Sequence, residues 1–154
     1  MAIELVIADT SDEHHCSSKL FAACGAHFQA QIPPPDPAAW ADVTDPAARL
    51  RAVLLAFYGY YRRAGPNLAK AQRDAAELPA LAAVLAPFAR FVEAVQEDLV
   101  TRWRVGDRGH ARLAAAIGHA LRLDTWRSLA QVEGLDDGEV ADLMVALARA
   151  GADP

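Results

Sequence analysis

Residues 46 to 63 place Leu50, Val53, Leu54, Phe57 and Tyr61 at the i, i+3, i+4, i+7, i+11 spacing of one buried helical stripe. Asp45-Pro46 opens that stretch as N-cap and first helical residue, and Gly65-Pro66 is expected to end it near Arg63. A segment patterned in this way has to find other apolar helix faces to pack against. Alanine is abundant and β-branched residues are sparse after position 10, which favours helix over strand elsewhere too. At 154 residues and 53% hydrophobic, the chain is long enough and apolar enough for one core.

The remaining punctuation divides the chain into further helices. A first helix starts near Ser17 or Ser18, carries Leu20, Phe21, Cys24 and Phe28 on its apolar face, and stops before Ile32 and three consecutive prolines. Asp36-Pro37 caps a short turn bearing Trp40. A short helix is expected over about Asn67 to Ala76. Pro79 restarts the chain, and Pro87 either kinks one long helix or opens a second that reaches Arg104. One helix is expected from about His110 to Gln131, stopped by Gly134. Asp136 and Glu139 form a capping arrangement for a last helix, Gly138 to Ala150, which Gly151 terminates. The expected fold is an all-α antiparallel bundle of about five to seven helices over residues 19–151. Residues 1–18, an apolar run at 2–8 and then a polar stretch, form a short N-terminal segment.

Charge and motifs narrow the function. The net charge is −5, without the basic excess that phosphate contacts demand, so DNA is not expected to be bound by this chain alone. Cys16 and Cys24 form no CxxC and no disulfide framework. The adjacent His14 and His15 lack metal-ligand spacing, so no metal or other cofactor is expected. No nucleophile elbow, phosphate loop or zinc-protease signature occurs, and the chain is read as a non-enzyme. The N-terminus has no basic region before its apolar run, and no apolar run approaches the ~20 residues of a membrane span. A cytoplasmic setting is expected.

Four stretches, residues 19–40, 45–75, 78–99 and 121–151, resemble the C-terminal ligand-binding and dimerisation domain of TetR-family transcriptional regulators. The run FYGYYRRAGPNLAKAQRDA (57–75) carries most of the likeness. Residues 19–40 resemble that family's connecting helix. At the front, only His15, Ser18, Lys19, Leu20 and Phe21 echo the end of the family's helix-turn-helix domain, which is expected to be absent or degenerate here. The resemblance implies a small apolar or amphipathic effector held between the long helices. Phe57, Tyr58, Tyr60, Tyr61, Phe88, Phe91 and Trp103 are its candidate lining, although core packing is the better reading for Phe57, Tyr61, Phe88 and Phe91. Tyr58 and Tyr60 lie off the main stripe, with hydroxyls that want partners. Arg62, Arg63, Lys70 and Arg73 are either an anion clasp or a solvated face. The resemblance also implies a homodimer formed by the last two helices, with Ile117, Leu121, Leu129, Val140, Leu143, Met144 and Leu147 as its patch. The competing reading is a helical interaction module without a ligand, paired with itself or with an intact paralogue. A cavity of ~300 Å³ or more between the long helices separates the two.

Overall fold

A computed structural model describes residues 22–153 of the chain, except for the side chain of Arg108. The described residues form helices and no strand: α1 over 22–31, a 3-10 turn Pro37–Trp40, α2 Pro46–Asp74, α3 Pro79–Thr101, α4 Asp107–Ala120, α5 Leu123–Trp126 running on as a π-helical turn Arg127–Val132, and α6 Asp137–Ala152. The fold is an all-α bundle, as the patterning requires. The expectations for residues 1–21, including the cap at Ser17 or Ser18 and the roles of His14, His15, Cys16, Leu20 and Phe21, lie outside the described residues.

Three of the expected helix starts, at Asp36, Asp45 and Asp136, carry the side-chain caps the sequence indicates, whereas no separate helix starts near Asn67 and α4 starts at Asp107 rather than His110. Asp36 accepts the Ala38 N–H at 3.0 Å, and Asp45 accepts the Ala48 N–H at 2.7 Å. Asp136 and Glu139 close a reciprocal capping box with both bonds at 2.9 Å. Each such cap stabilises its helix by about 1 kcal/mol. Gly134, at φ 78°, makes the turn before that box, a conformation an L side chain rarely adopts.

Helix lengths depart from expectation where packing overrides local signals. Gly65-Pro66 does not end α2, which continues to Asp74. Pro66 is exposed and lacks an N–H, but Ala64, Gly65 and Leu68 around it are buried, so continuing the helix keeps them packed. A side chain at Gly65 would start 3.5 Å from the Trp126 ring. Pro87 sits inside a single α3, which ends at Thr101 rather than Arg104. The helix expected over His110 to Gln131 is broken after Ala120. Gly151 lies within α6 instead of ending it; a Cβ there would meet the Arg112 backbone at 3.2 Å, so glycine permits the close approach of α4 and α6.

The core surrounds α2. Leu50, Val53, Leu54, Phe57 and Tyr61 are buried as their spacing demands. Tyr58 and Tyr60, expected off that stripe, are buried too, because α2 is covered on several sides by α3, α5, α6 and the 3-10 turn. Cys24, expected on a core face, is exposed. One described helix, α3, is long and apolar enough by length and composition to cross a bilayer. Arg90 and Glu93 interrupt its apolar residues, so the sequence shows no continuous run of that length.

Arg49 secures the front of the bundle. Buried on the core side of α2, it donates to the carbonyls of Trp40, Ala41 and Val43 and to Asp98 of α3 at 3.0 and 3.1 Å. Bonds from Arg102, and then from Arg49, hold the Asp98 carboxyl below its usual pKa against the opposing effect of burial. Arg49→Met is expected to cost about 2–4 kcal/mol in urea unfolding, since it leaves the Ala41 and Val43 carbonyls without their donor and removes one of the two arginines that hold Asp98. A carboxyl whose pKa is depressed in the fold stabilises above its unfolded pKa, and this stability is lost as pH falls through the folded value. The wild type is therefore expected to lose more stability than Arg49→Met between about pH 6 and pH 3, and parallel losses would contradict the assigned clamp.

Candidate functional site

The second half of α2, the middle of α3, the end of α4 and α5 enclose a cleft of about 1310 Å³. That is somewhat larger than the usual pocket for a small ligand, ~300–1,000 Å³. Its shape depends on where α4 stops. Tyr58 and Tyr61, three residues apart on α2, donate to the carbonyls of Ala120 at 3.0 Å and Leu121 at 2.6 Å. Thr125 donates to the carbonyl of His119 at 2.7 Å. The helix end thus finds three hydroxyl partners, and the chain turns there instead of continuing. Burial pushes both tyrosine pKa values up, so these hydroxyls remain neutral donors across the ordinary pH range.

The turn carries α5 back against α2, and Trp126 anchors it. The Trp126 indole N–H donates to Asp137 at 2.8 Å, and Arg62 both binds Asp137 at 2.7 and 3.2 Å and lies over the indole ring at 5.8 Å. Burial raises the Asp137 pKa, but the bonds from Arg62 and Trp126 outweigh this and hold the carboxyl below its usual range.

The cleft floor is apolar and the rim is polar. Leu68, Leu121, Leu123 and Tyr61 are buried beneath it, with Leu85, Phe88 and Val92 half-buried along the α3 wall. Gln96 crosses one end and donates to the Ala114 carbonyl at 2.9 Å. Gly118 makes room for that amide, since a Cβ there would fall 2.7 Å from Gln96 Nε2. The rim carries Lys70, Arg73, Arg122 and Arg127 with Glu93, Asp124 and His119. Thr125 and His119 form the closest approach to a nucleophile-base pair, at 3.4 Å, but the Thr125 proton is directed to the His119 carbonyl.

The candidate aromatic lining separates into distinct roles. Tyr61 and Phe88 line the cleft. Tyr60 and Phe88 line a smaller cavity of about 270 Å³ beneath α1, with Cys24 and Phe28. Phe57 and Tyr58 are fully buried and line neither. Phe91 stacks on Phe57 at 5.9 Å and also lines neither. Trp103, past the end of α3, is half-buried, with an indole N–H that has no partner among the described residues. Gln96, His119, Arg122 and Arg127 were not among the candidates drawn from the sequence: Gln96 stands on α3 outside the aromatic positions, and the other three line the cleft where the chain turns after Ala120. Among the described residues, no three His, Cys, Asp or Glu side chains are grouped to hold a metal ion.

The candidate dimer patch divides as well. Ile117, Leu121, Val140 and Met144 are buried inside the single chain, where α6 packs on α4 and α2, and are unavailable to a partner. Leu129 is half-buried, while Leu143 and Leu147 on the outer face of α6 are 46% and 42% exposed. The 3.6-residue pattern marks apolar positions without saying which neighbour covers them.

The fold and cleft define a class: an all-helical bundle with a ligand-sized opening between its long helices. Comparison with protein-family descriptions, curated proteins and solved structures gave no match.

Tyr61→Phe is expected to cost about 1–3 kcal/mol in urea unfolding, because it leaves the buried Leu121 carbonyl without its donor. Tyr60→Phe, whose hydroxyl bonds no described residue, should cost less. Equal losses in the two variants would contradict the role given to Tyr61.

Proposed function

We propose that residues 22–153 are the effector-sensing and dimerising core of a TetR-type transcriptional regulator. The cleft carries this reading: a large opening with an apolar floor and a polar, charged rim has the form of an amphipathic small-molecule site in a helical bundle. Its size favours a sensor over an interaction module with a solid core. The order of the helices and the TetR-like run at 57–75 support the same reading.

Leu68, Leu85 and Phe88 wall both the cleft and the cavity beneath α1. An occupant pressing on them displaces α1, which the resemblance makes the connecting helix towards a DNA-reading domain. The homodimer is assigned to the outer face of α6, where Leu143, Ala146, Leu147 and Ala150 form an exposed small-and-apolar stripe at helical spacing.

Binding is tested with the neutral fluorophore N-phenyl-naphthylamine. The protein is expected to enhance its emission saturably. Ala89→Trp, at an exposed cleft-lining alanine, is expected to abolish that response with the helical circular dichroism unchanged. No enhancement, or enhancement indifferent to Ala89→Trp, would overturn the sensor reading. The wild type is expected to elute as a dimer with light-scattering detection, and Leu143→Asp as a helical monomer, because the substitution places a charge in the interface. A dimer that persists in Leu143→Asp rejects the α6 face.

A further inference from the structure

The charge around the cleft is opposite in sign to that of the chain. The whole chain carries −5, yet Lys70, Arg73, Arg122 and Arg127 line the cleft against only Glu93 and Asp124, an excess of two positive charges. Lys70 and Arg73 belong to the last turns of α2, Arg122 caps the start of α5, and Arg127 opens the π-helical turn that follows it. Arg73 bonds its neighbour Asp74 at 3.0 Å, and Arg127 approaches Asp124 at 3.9 Å. Lys70 and Arg122 make no ion pair with a described residue. All four are exposed, so each keeps its hydration until an anion approaches. The buried side chains beneath them are Tyr61, Leu68, Leu121 and Leu123.

Resting on the sensor reading above, we propose that the ligand of this cleft is an amphipathic anion: an apolar chain or ring system on the floor formed by Leu68, Leu85, Phe88, Val92, Leu121 and Leu123, with a carboxylate or similar anionic head between Lys70 and Arg122. A cationic amphiphile of the same shape meets the same floor but a repelling rim. A neutral one gains from the floor alone.

The test displaces bound N-phenyl-naphthylamine with three probes that share one tail: decanoate, decanol and decyltrimethylammonium. Decanoate is expected to bind at least about tenfold more tightly than decyltrimethylammonium in low salt, with the gap narrowing as salt screens the rim. Lys70→Glu with Arg122→Glu is expected to erase or reverse that preference while decanol affinity stays within about twofold. The milder pair Lys70→Gln with Arg122→Gln carries the same expectation at reduced size if the reversal does not fold. Equal affinity for the two ions, or a preference that survives both variants, overturns the proposal. If the fluorophore and decanol bind in an Ala89→Trp-sensitive way without ion preference, this inference fails and the sensor reading stands. If nothing binds, the sensor reading fails beneath it.

Discussion

The carbonyls that end α4 are the point on which the bundle turns. His119, Ala120 and Leu121 would continue a helix into the next residues if nothing else claimed them. Instead Thr125, Tyr58 and Tyr61 supply hydroxyl donors, two of them from a helix some sixty residues earlier in the chain. Each bond is modest, about 1 kcal/mol net, but an unpaired buried carbonyl costs more than a made bond gains, so the arrangement is strongly preferred once α2 is in place. The reversal puts Leu121 and Leu123 under the cleft and brings Trp126 against α2. Without it there is no α5 wall, and the opening between α2, α3 and α4 has no fourth side.

A second constraint fixes which face of α6 remains free. Val140, Ala141, Met144, Val145 and Ala148 are buried, so the outward stripe follows from helical geometry rather than from any separate signal. Arg51 with Asp142 and Arg62 with Asp137 tie α2 to α6 at 2.6 and 2.7 Å. Such exposed pairs add little stability and serve mainly to set the register of two packed helices. Because burial already holds the inner face, the outer leucines are free to meet another surface without weakening the fold of one chain.

Much of this was legible in the sequence, and the limits have a common cause. Asp36, Asp45 and the Asp136–Glu139 box were readable because a cap is a local bargain between residues two or three apart. The core stripe from Leu50 to Tyr61 was readable because one period suffices to define it. The continuation of α2 past Pro66 was not, since the buried neighbours that justify it belong to α5. Nor was the break after Ala120, whose cause lies in Tyr58 and Tyr61. Arg49 shows the same limit: it stands four residues before Val53 on the core face, yet nothing nearby reveals the carbonyls it holds. Four of the seven residues proposed for a dimer turned out to be core for that reason, as Ile117, Leu121, Val140 and Met144 follow the same spacing whichever surface covers them.

The α3 helix joins the packing to the proposed ligand. It is apolar enough to pass a membrane-span test by composition, yet only Val95, Leu99 and Val100 are buried in it. Before Val95, Leu81, Val84, Leu85, Phe88 and Val92 are half-buried and each lines the cleft or the cavity beneath α1, while Phe91 among them stacks on Phe57 instead. Burying apolar surface is worth roughly 25 cal/mol per Å², so side chains left half-covered along an otherwise well-packed bundle hold free energy that a suitable occupant can release. The same helix places the exposed Glu93 on the cleft rim and Gln96 across the cleft end, a polar frame around its apolar wall. On this argument the high hydropathy of α3 and the cationic rim facing it are two halves of one site, the first selecting for an apolar body and the second for the sign of its head.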